Sequence, residues 1–194
     1  MKAWILGTVI AVIIGVGGYS VLRLVGDAGF VPVEFSEARI KGAELAKNIV
    51  ELANGSLGSL EEIAAYDEAG KKSEALILIS KEVLKNRDTQ AEAIKLSSQL
   101  ERMARSIEEI KPARARVLAA EAVSAEVALV SRLISYNDFL LQLFEALRQK
   151  FQNPTVYANG RVDELVRKIN EEAQAINTFN QRFGESLAEF DELF

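Results

Sequence analysis

The sequence predicts an all-α protein, in which an N-terminal transmembrane helix is followed by an elongated antiparallel three- to four-helix bundle with coiled-coil-like heptads. Residues 3–22 carry no charge, and only three of the 194 residues are proline. Over most of the remaining chain, apolar residues recur at three- and four-residue intervals. We therefore predict a transmembrane anchor at residues 1–25, a juxtamembrane linker at 26–35 and a helical bundle domain at 36–194.

Residues 3–22 are the predicted membrane anchor. Twenty residues span about 30 Å as a helix, which matches the hydrocarbon thickness of a bilayer. A cleaved signal peptide, which would give a secreted bundle, is the alternative, because Lys2 precedes the apolar run. The run is longer than a typical signal sequence, so we expect the anchor to be retained. The positive charge before it favours a single-pass protein of the cell membrane, with the N-terminus cytoplasmic and the bundle extracytoplasmic.

The first half of the bundle contains several helix boundary signals. Ser36 is the predicted cap of a helix that runs to about residue 53 and ends at Asn54-Gly55-Ser56. A capping box at Ser59 then predicts a second helix that extends to about residue 110, with Gly70 tolerated inside it. A polar run leaves open whether this helix is continuous or broken near residue 87.

The second half of the bundle has the clearest apolar rows. A helix from Pro112 to Gln152 is predicted to bury one row at three- and four-residue spacing, and a second row flanks it. The first row contains Ala120, Val123, Val127, Val130, Ile134, Asn137, Leu141, Phe144, Arg148 and Phe151, and the second contains Leu133, Tyr136, Leu140, Leu143 and Leu147. After a turn between Asn153 and Gly160, a last helix carries Val162, Val166, Ile169, Ala173, Ile176, Asn180, Phe183, Leu187, Phe190 and Phe194 at the same spacing.

The composition excludes several classes of function. The chain has no His and no Cys, which removes histidine-dependent catalytic triads and ordinary zinc sites. Residues 1–26 contain Lys2 and Arg23 and no acid, so the rest has 21 basic and 28 acidic residues, a net charge of −7. That charge repels phosphate backbones and argues against nucleic-acid binding. We expect no enzymatic activity, cofactor or metal site.

Two groups of residues are candidate sites. Asn137 and Asn180 occupy core positions, and a turn centred near residue 156 would place Asn137 closest to residues 176–177. Tyr136, Asn137, Asn177 and Asn180 therefore either fix the helix register or line a site for a small polar ligand. Arg102, Arg105, Lys111, Arg114 and Arg116 surround the Pro112 turn, where they either contact lipid headgroups or belong to a mixed, solvated surface.

One short stretch resembles a known family. Arg132, the run Tyr136-Asn137-Asp138 and Phe151 are similar to a pattern late in LemA-like proteins, although Gln152 follows Phe151 where that family tends to have proline. Those proteins also combine an N-terminal membrane helix with a helical bundle, so the resemblance is one of architecture. We expect a non-catalytic envelope scaffold or protein-interaction module, which binds protein partners or self-associates. The alternative is an extracytoplasmic ligand-sensing or ligand-binding bundle.

Overall fold

The computed structural model describes residues 29–153 and 160–194, and it confirms the all-α fold. Its α-helices are α1 (Val33–Glu68), α2 (Lys72–Ser106), α3 (Ala113–Gln152) and α4 (Gly160–Asp191), and a 3-10 turn at Ile107–Glu109 follows α2. The predicted anchor at 3–22 lies outside the described residues. Within the two described ranges, no helix combines the length and the apolar character that crossing a bilayer requires.

Each helix packs antiparallel against the next one in the chain, which gives an up-down-up-down bundle. The 40 residues of α3 correspond to a length of about 60 Å. At one end, which we name the distal end, the Nζ atom of Lys150 lies 2.6 Å from Asp67 Oδ2. At the opposite, proximal end, Arg102 of α2 lies within 3.7 Å of Glu37 of α1.

The core runs along the whole bundle, and every helix contributes large apolar side chains to it. Burying such a side chain stabilises the fold by about 1.5–3 kcal/mol, so these positions hold the four helices together. The largest fully buried side chains are Phe35, Ile49, Leu60, Ile63, Ile79, Leu96, Met103, Ile110, Leu129, Tyr136, Phe144 and Phe190.

The predicted turn at Asn54-Gly55-Ser56 is wrong, because α1 continues through it and through Ser59 to Glu68. The buried face of the helix does not stop at this segment: Ala53 and Ser56 are buried, and so is Leu60. Packing of that continuous face therefore outweighs the poor helix propensity of two glycines, since tertiary contacts routinely override propensity.

The α1–α2 turn lies at Gly70, which the sequence analysis placed inside a helix. Gly70 has a φ of 69°, a left-handed conformation that glycine adopts without steric cost. The suggested break near residue 87 is absent, because α2 is continuous from Lys72 to Ser106. Its polar run keeps a buried face through Asn86 and Thr89, and this face maintains the packing of the helix.

The chain before α1 packs against the connection between α2 and α3. The backbone N–H of Phe30 donates to Lys111 O at 3.0 Å, and that of Lys111 donates to Phe30 O at 2.9 Å. Val31 and Phe35 are buried, and α1 begins at Val33, inside the predicted linker. The described part of that linker is thus part of the bundle.

The prediction of which row of α3 faces the core is partly wrong. All five residues of the flanking row are buried, whereas only five of the ten residues of the first row are buried. Val127 and Ile134 of that first row are 53 % and 39 % exposed, and Ala120 and Arg148 are exposed too. The row of α4 is buried at seven of its positions, and Asn180, Phe183 and Phe194 are half-buried. Three- and four-residue spacing thus identified amphipathic helices but not which of two adjacent rows on α3 faces inward.

Replacing Gly58 by Ala tests the continuity of α1. Gly58 lies inside the helix and its Cβ position is open, so alanine should raise the free energy of unfolding by about 1 kcal/mol through its better helix propensity. The matched control is Gly70→Ala, which should lower stability by about 1 kcal/mol because its φ is positive. Both are measured by denaturant unfolding, and a destabilising Gly58→Ala would contradict a continuous α1.

Candidate functional site

A layer of buried polar side chains crosses the middle of the bundle. Glu82 on α2 faces α1, where its carboxylate accepts hydrogen bonds from Ser56 Oγ at 2.7 Å and Ser59 Oγ at 2.8 Å. The ammonium of Lys85 lies 3.9 Å from the same carboxylate. Two charge-assisted hydrogen bonds and a cation satisfy Glu82, so this half of the layer is a stable contact between α1 and α2.

The other half of the layer joins α2 to α3. Asn86 Nδ2 donates to the backbone oxygen of Asn137 at 3.1 Å, and both side chains are buried. At the surface edge of this contact, Gln90 Nε2 donates to Asp138 Oδ1 at 2.9 Å. Within the described residues, three buried polar atoms lack a hydrogen-bond partner here, namely Asn86 Oδ1, Asn137 Nδ2 and the hydroxyl of Tyr136. Burial raises the pKa of Tyr136, so its hydroxyl stays protonated.

The structure places the four residues of the predicted polar cluster at two heights. Arg132 lies 3.5 Å from Glu172, and Arg114 lies 4.0 Å from Glu189, which fixes the register of α3 against α4. That register puts Asn137 level with about residue 167, and Asn177 roughly 15 Å further towards the proximal end. Tyr136 and Asn137 therefore lie in the polar layer, whereas Asn177 and Asn180 lie near the height of residue 126.

Asn86 is a candidate functional residue that was not predicted from the sequence. It stands in the polar run at residues 85–90, which was interpreted only as a possible helix break. The available signal was its spacing: Asn86 lies seven residues after Ile79 and seven before Ala93, and both of those are buried. An amide at a core position of one helix predicts a polar partner on the next.

Glu126 is a second buried polar residue of α3, closer to the proximal end. It stands seven residues before Leu133, on the inward row, and only 4 % of its surface is exposed. Burial raises the pKa of this carboxyl to about 7. Among the described residues, Glu126 has neither a hydrogen bond nor an ion pair, so the core offers nothing that stabilises its charged form. Both protonation states of Glu126 are therefore populated near neutral pH.

The five predicted headgroup residues all lie at the proximal end, beside the point where the chain enters the bundle. Four of them are arginines, and each faces a carboxylate; the pairs are Arg102 with Glu34 and Glu37, Arg105 with Glu101, Arg114 with Glu189, and Arg116 with Glu108. Lys111 is exposed, and its backbone pairs with Phe30. Because acidic partners offset most of this charge, the cluster has the mixed character of a solvated surface.

The first and last helices meet at the proximal end. Arg39 Nη1 and Nη2 donate to the two carboxylate oxygens of Asp191 at 2.6 and 2.7 Å, and both side chains are mostly buried. The ring of Phe190 lies between those of Phe35 and Phe194, at centroid distances of 5.7 and 5.2 Å. Gly29 approaches the Phe194 ring so closely that any side chain at this position would collide with it.

Comparison with known proteins gives no further assignment. No protein-family model, no curated protein and no solved structure matches this chain.

Breaking the ion pair between Arg39 and Asp191 should strongly destabilise the bundle. Arg39→Met leaves the Asp191 carboxylate buried without a partner, which should lower the free energy of unfolding by about 2–3 kcal/mol. The double variant Arg39→Met/Asp191→Leu should recover most of that loss. Lys47→Met is the control, because Lys47 and Glu51 form an exposed pair worth less than about 0.5 kcal/mol. Equal losses for Arg39→Met and Lys47→Met would contradict a stabilising role of the ion pair between Arg39 and Asp191.

Glu126 should make stability depend on pH. Its folded pKa of about 7 lies above the reference value of 4.5, so the protonated form favours folding. The contribution is fully present below pH 4.5 and is lost as the pH rises through 7, by about 3 kcal/mol in total. Subtracting the unfolding free energies of Glu126→Gln from those of the natural protein, from pH 4 to 8, isolates this dependence. Glu121→Gln, on the exposed side of α3, should show none, and a flat difference for Glu126→Gln would contradict the buried position.

Proposed function

We propose that the chain is a non-catalytic, membrane-tethered helical bundle of the cell envelope that acts as a scaffold or interaction module for other proteins. Residues 3–22 form the tether in this proposal, with the N-terminus in the cytoplasm and the bundle outside. The membrane, rather than a cofactor or a nucleic acid, is its first binding partner.

The observation that carries the proposal is the exposed apolar surface at the proximal end. The chain leads from the uncharged segment to Gly29, which lies at this end, and large apolar side chains are exposed around it. Phe30, Val33 and Ile40 are 51 %, 71 % and 49 % exposed. Apolar residues beside the point where an apolar segment joins the bundle are suited to the interfacial region of a bilayer. The distal end then projects about 60 Å from the membrane.

The outer side of α3 is the surface that we propose for protein partners. Val127 and Ile134 are exposed there on one face of the helix, whereas the described residues of α4 include no exposed large apolar side chain. Val127 and Ile134 are seven residues apart, the spacing at which one helix packs along another. The occupant is therefore a helix of another protein, with its apolar face towards α3.

The placement of the carboxylates argues against an enzyme. Catalysis by two carboxylates needs a pair in one cleft with separated pKa values. Glu82 is held by two serine hydroxyls, and Glu126 lies alone in the core. Neither residue belongs to such a pair within the part of the chain that the structure describes.

The tether is tested with single-cysteine variants, because the natural chain contains no cysteine. A fluorescent label on Val33→Cys, at the proximal end, should be quenched by brominated lipids in vesicles, and a label on Ser73→Cys, at the distal end, should not. In intact spheroplasts, a membrane-impermeant maleimide should label Ser73→Cys from outside. Equal quenching at both positions, or protection of Ser73→Cys, would contradict the proposed arrangement.

Two further variants complete this experiment. Ile13→Lys/Ile14→Asp puts two charges in the apolar segment, at a cost of about 5–7 kcal/mol for insertion, and should release the protein from carbonate-washed membranes. The matched variant Ile13→Leu/Ile14→Leu should remain in them.

For the partner surface, a photo-crosslinker at Val127 should capture another polypeptide, and one at the exposed Gln174 of α4 should not. Capture at neither position, or at both equally, would oppose the proposed surface.

A further inference from the structure

The contact between Asn86 and Asn137 contains more hydrogen-bonding capacity than it uses. Only an N–H group can donate to the backbone oxygen of Asn137, so the bond at 3.1 Å fixes which way the Asn86 amide points. Its Oδ1 atom, an acceptor, is then buried without a partner, and so is Asn137 Nδ2, a donor. A buried group without a partner keeps its full desolvation penalty, so this pair destabilises the fold if nothing else binds to it.

From these atoms we infer that the α2–α3 contact at mid-bundle is a binding site for one small neutral molecule that both donates and accepts hydrogen bonds. The ligand donates to Asn86 Oδ1 and accepts from Asn137 Nδ2, so it bridges the two helices. An internal water molecule and a small amide or alcohol share this chemistry. The inference is independent of the proposed tether and scaffold.

The surroundings of the site favour a neutral ligand. Asn86 and Asn137 are uncharged, and both are 2 % exposed, so a charged ligand would lose its hydration without gaining a counter-ion. The nearest buried charge on α2, Glu82, already accepts bonds from Ser56 and Ser59. A register contact alone would need only the direct bond from Asn86. The remaining acceptor and donor are therefore what identify a site.

A double-mutant cycle measures the bridge. In the full-length protein, Asn137→Leu should lower the free energy of unfolding because it removes the bridge and leaves Asn86 Oδ1 without a partner. Asn86→Leu should lower it further because it also removes the direct bond. The double variant should lose less than the sum, with a coupling of at least tenfold in the unfolding equilibrium constant. The control cycle pairs Tyr136→Phe with Asn137→Leu. Tyr136 points about 100° away from Asn137 around α3, so this cycle should be additive.

Two direct measurements identify the ligand. A high-resolution crystal structure of the full chain should show density between Asn86 Oδ1 and Asn137 Nδ2, and a single peak would assign water. Titration with acetamide should shift the side-chain amide resonance of Asn137 saturably if the site also accepts a solute, and Asn86→Leu should abolish that shift. The inference is overturned if the Asn86 cycle shows no more coupling than the control, or if neither density nor a saturable shift is found.

Discussion

The bidentate ion pair between Arg39 and Asp191 is the contact that closes the bundle. Packing between neighbours in the sequence already joins α1 to α2, α2 to α3 and α3 to α4. A chain of three such contacts can remain open, and only a contact between the first and last helices makes it a closed unit. The guanidinium of Arg39 supplies it with two short bonds, and the ring of Phe190 packs against Phe35 beside them. This contact between α1 and α4 lies at the end where the chain enters.

The two halves of the polar layer have different roles because their hydrogen bonding differs. Towards α1, the carboxylate of Glu82 has two hydroxyl donors and a nearby ammonium, and the contact is complete. Towards α3, Asn86 and Asn137 share one bond and retain an unused acceptor and donor. A low-polarity environment strengthens hydrogen bonds that are made and makes unpartnered polar groups costly, so it stabilises the first arrangement and penalises the second. Binding is therefore expected only on the α3 side.

The sequence was sufficient for the all-α class of the described residues and for the later helices. Three- and four-residue spacing predicted α3 and α4, and Pro112 marked the start of α3 to within one residue. The boundary between the first two helices was predicted wrongly because Asn54-Gly55-Ser56 has the composition of a turn, and the similar composition around Asn86 left a break there open. In the folded protein these two segments lie near each other, and the buried faces of α1 and α2 continue through them. The composition of one segment cannot reveal this packing between α1 and α2, because the packing arises only when both helices are in place.

The same limit applies to the candidate site. Tyr136 and Asn137 were identified from their core spacing, but their neighbours depend on the register between helices. A turn centred near residue 156 shifts that register by about ten residues from the one that the ion pair between Arg132 and Glu172 fixes. Such a shift moves a side chain by roughly 15 Å, enough to exchange every neighbour. The short resemblance to LemA-like proteins carries no information on register, so it could not correct the choice of partner.

The four α-helices of the described residues run alternately up and down, so the first of them begins and the last of them ends at the same end of the bundle. Gly29 and Phe194 lie together at one end, and the Gly70 turn lies at the other, about 60 Å away. A peptide appended after Phe194 would emerge beside the entry point of the chain, whereas one inserted at Gly70 would stand at the far tip. The Gly70 loop is thus the natural place for an epitope or a fluorescent reporter intended to be reached from a distance.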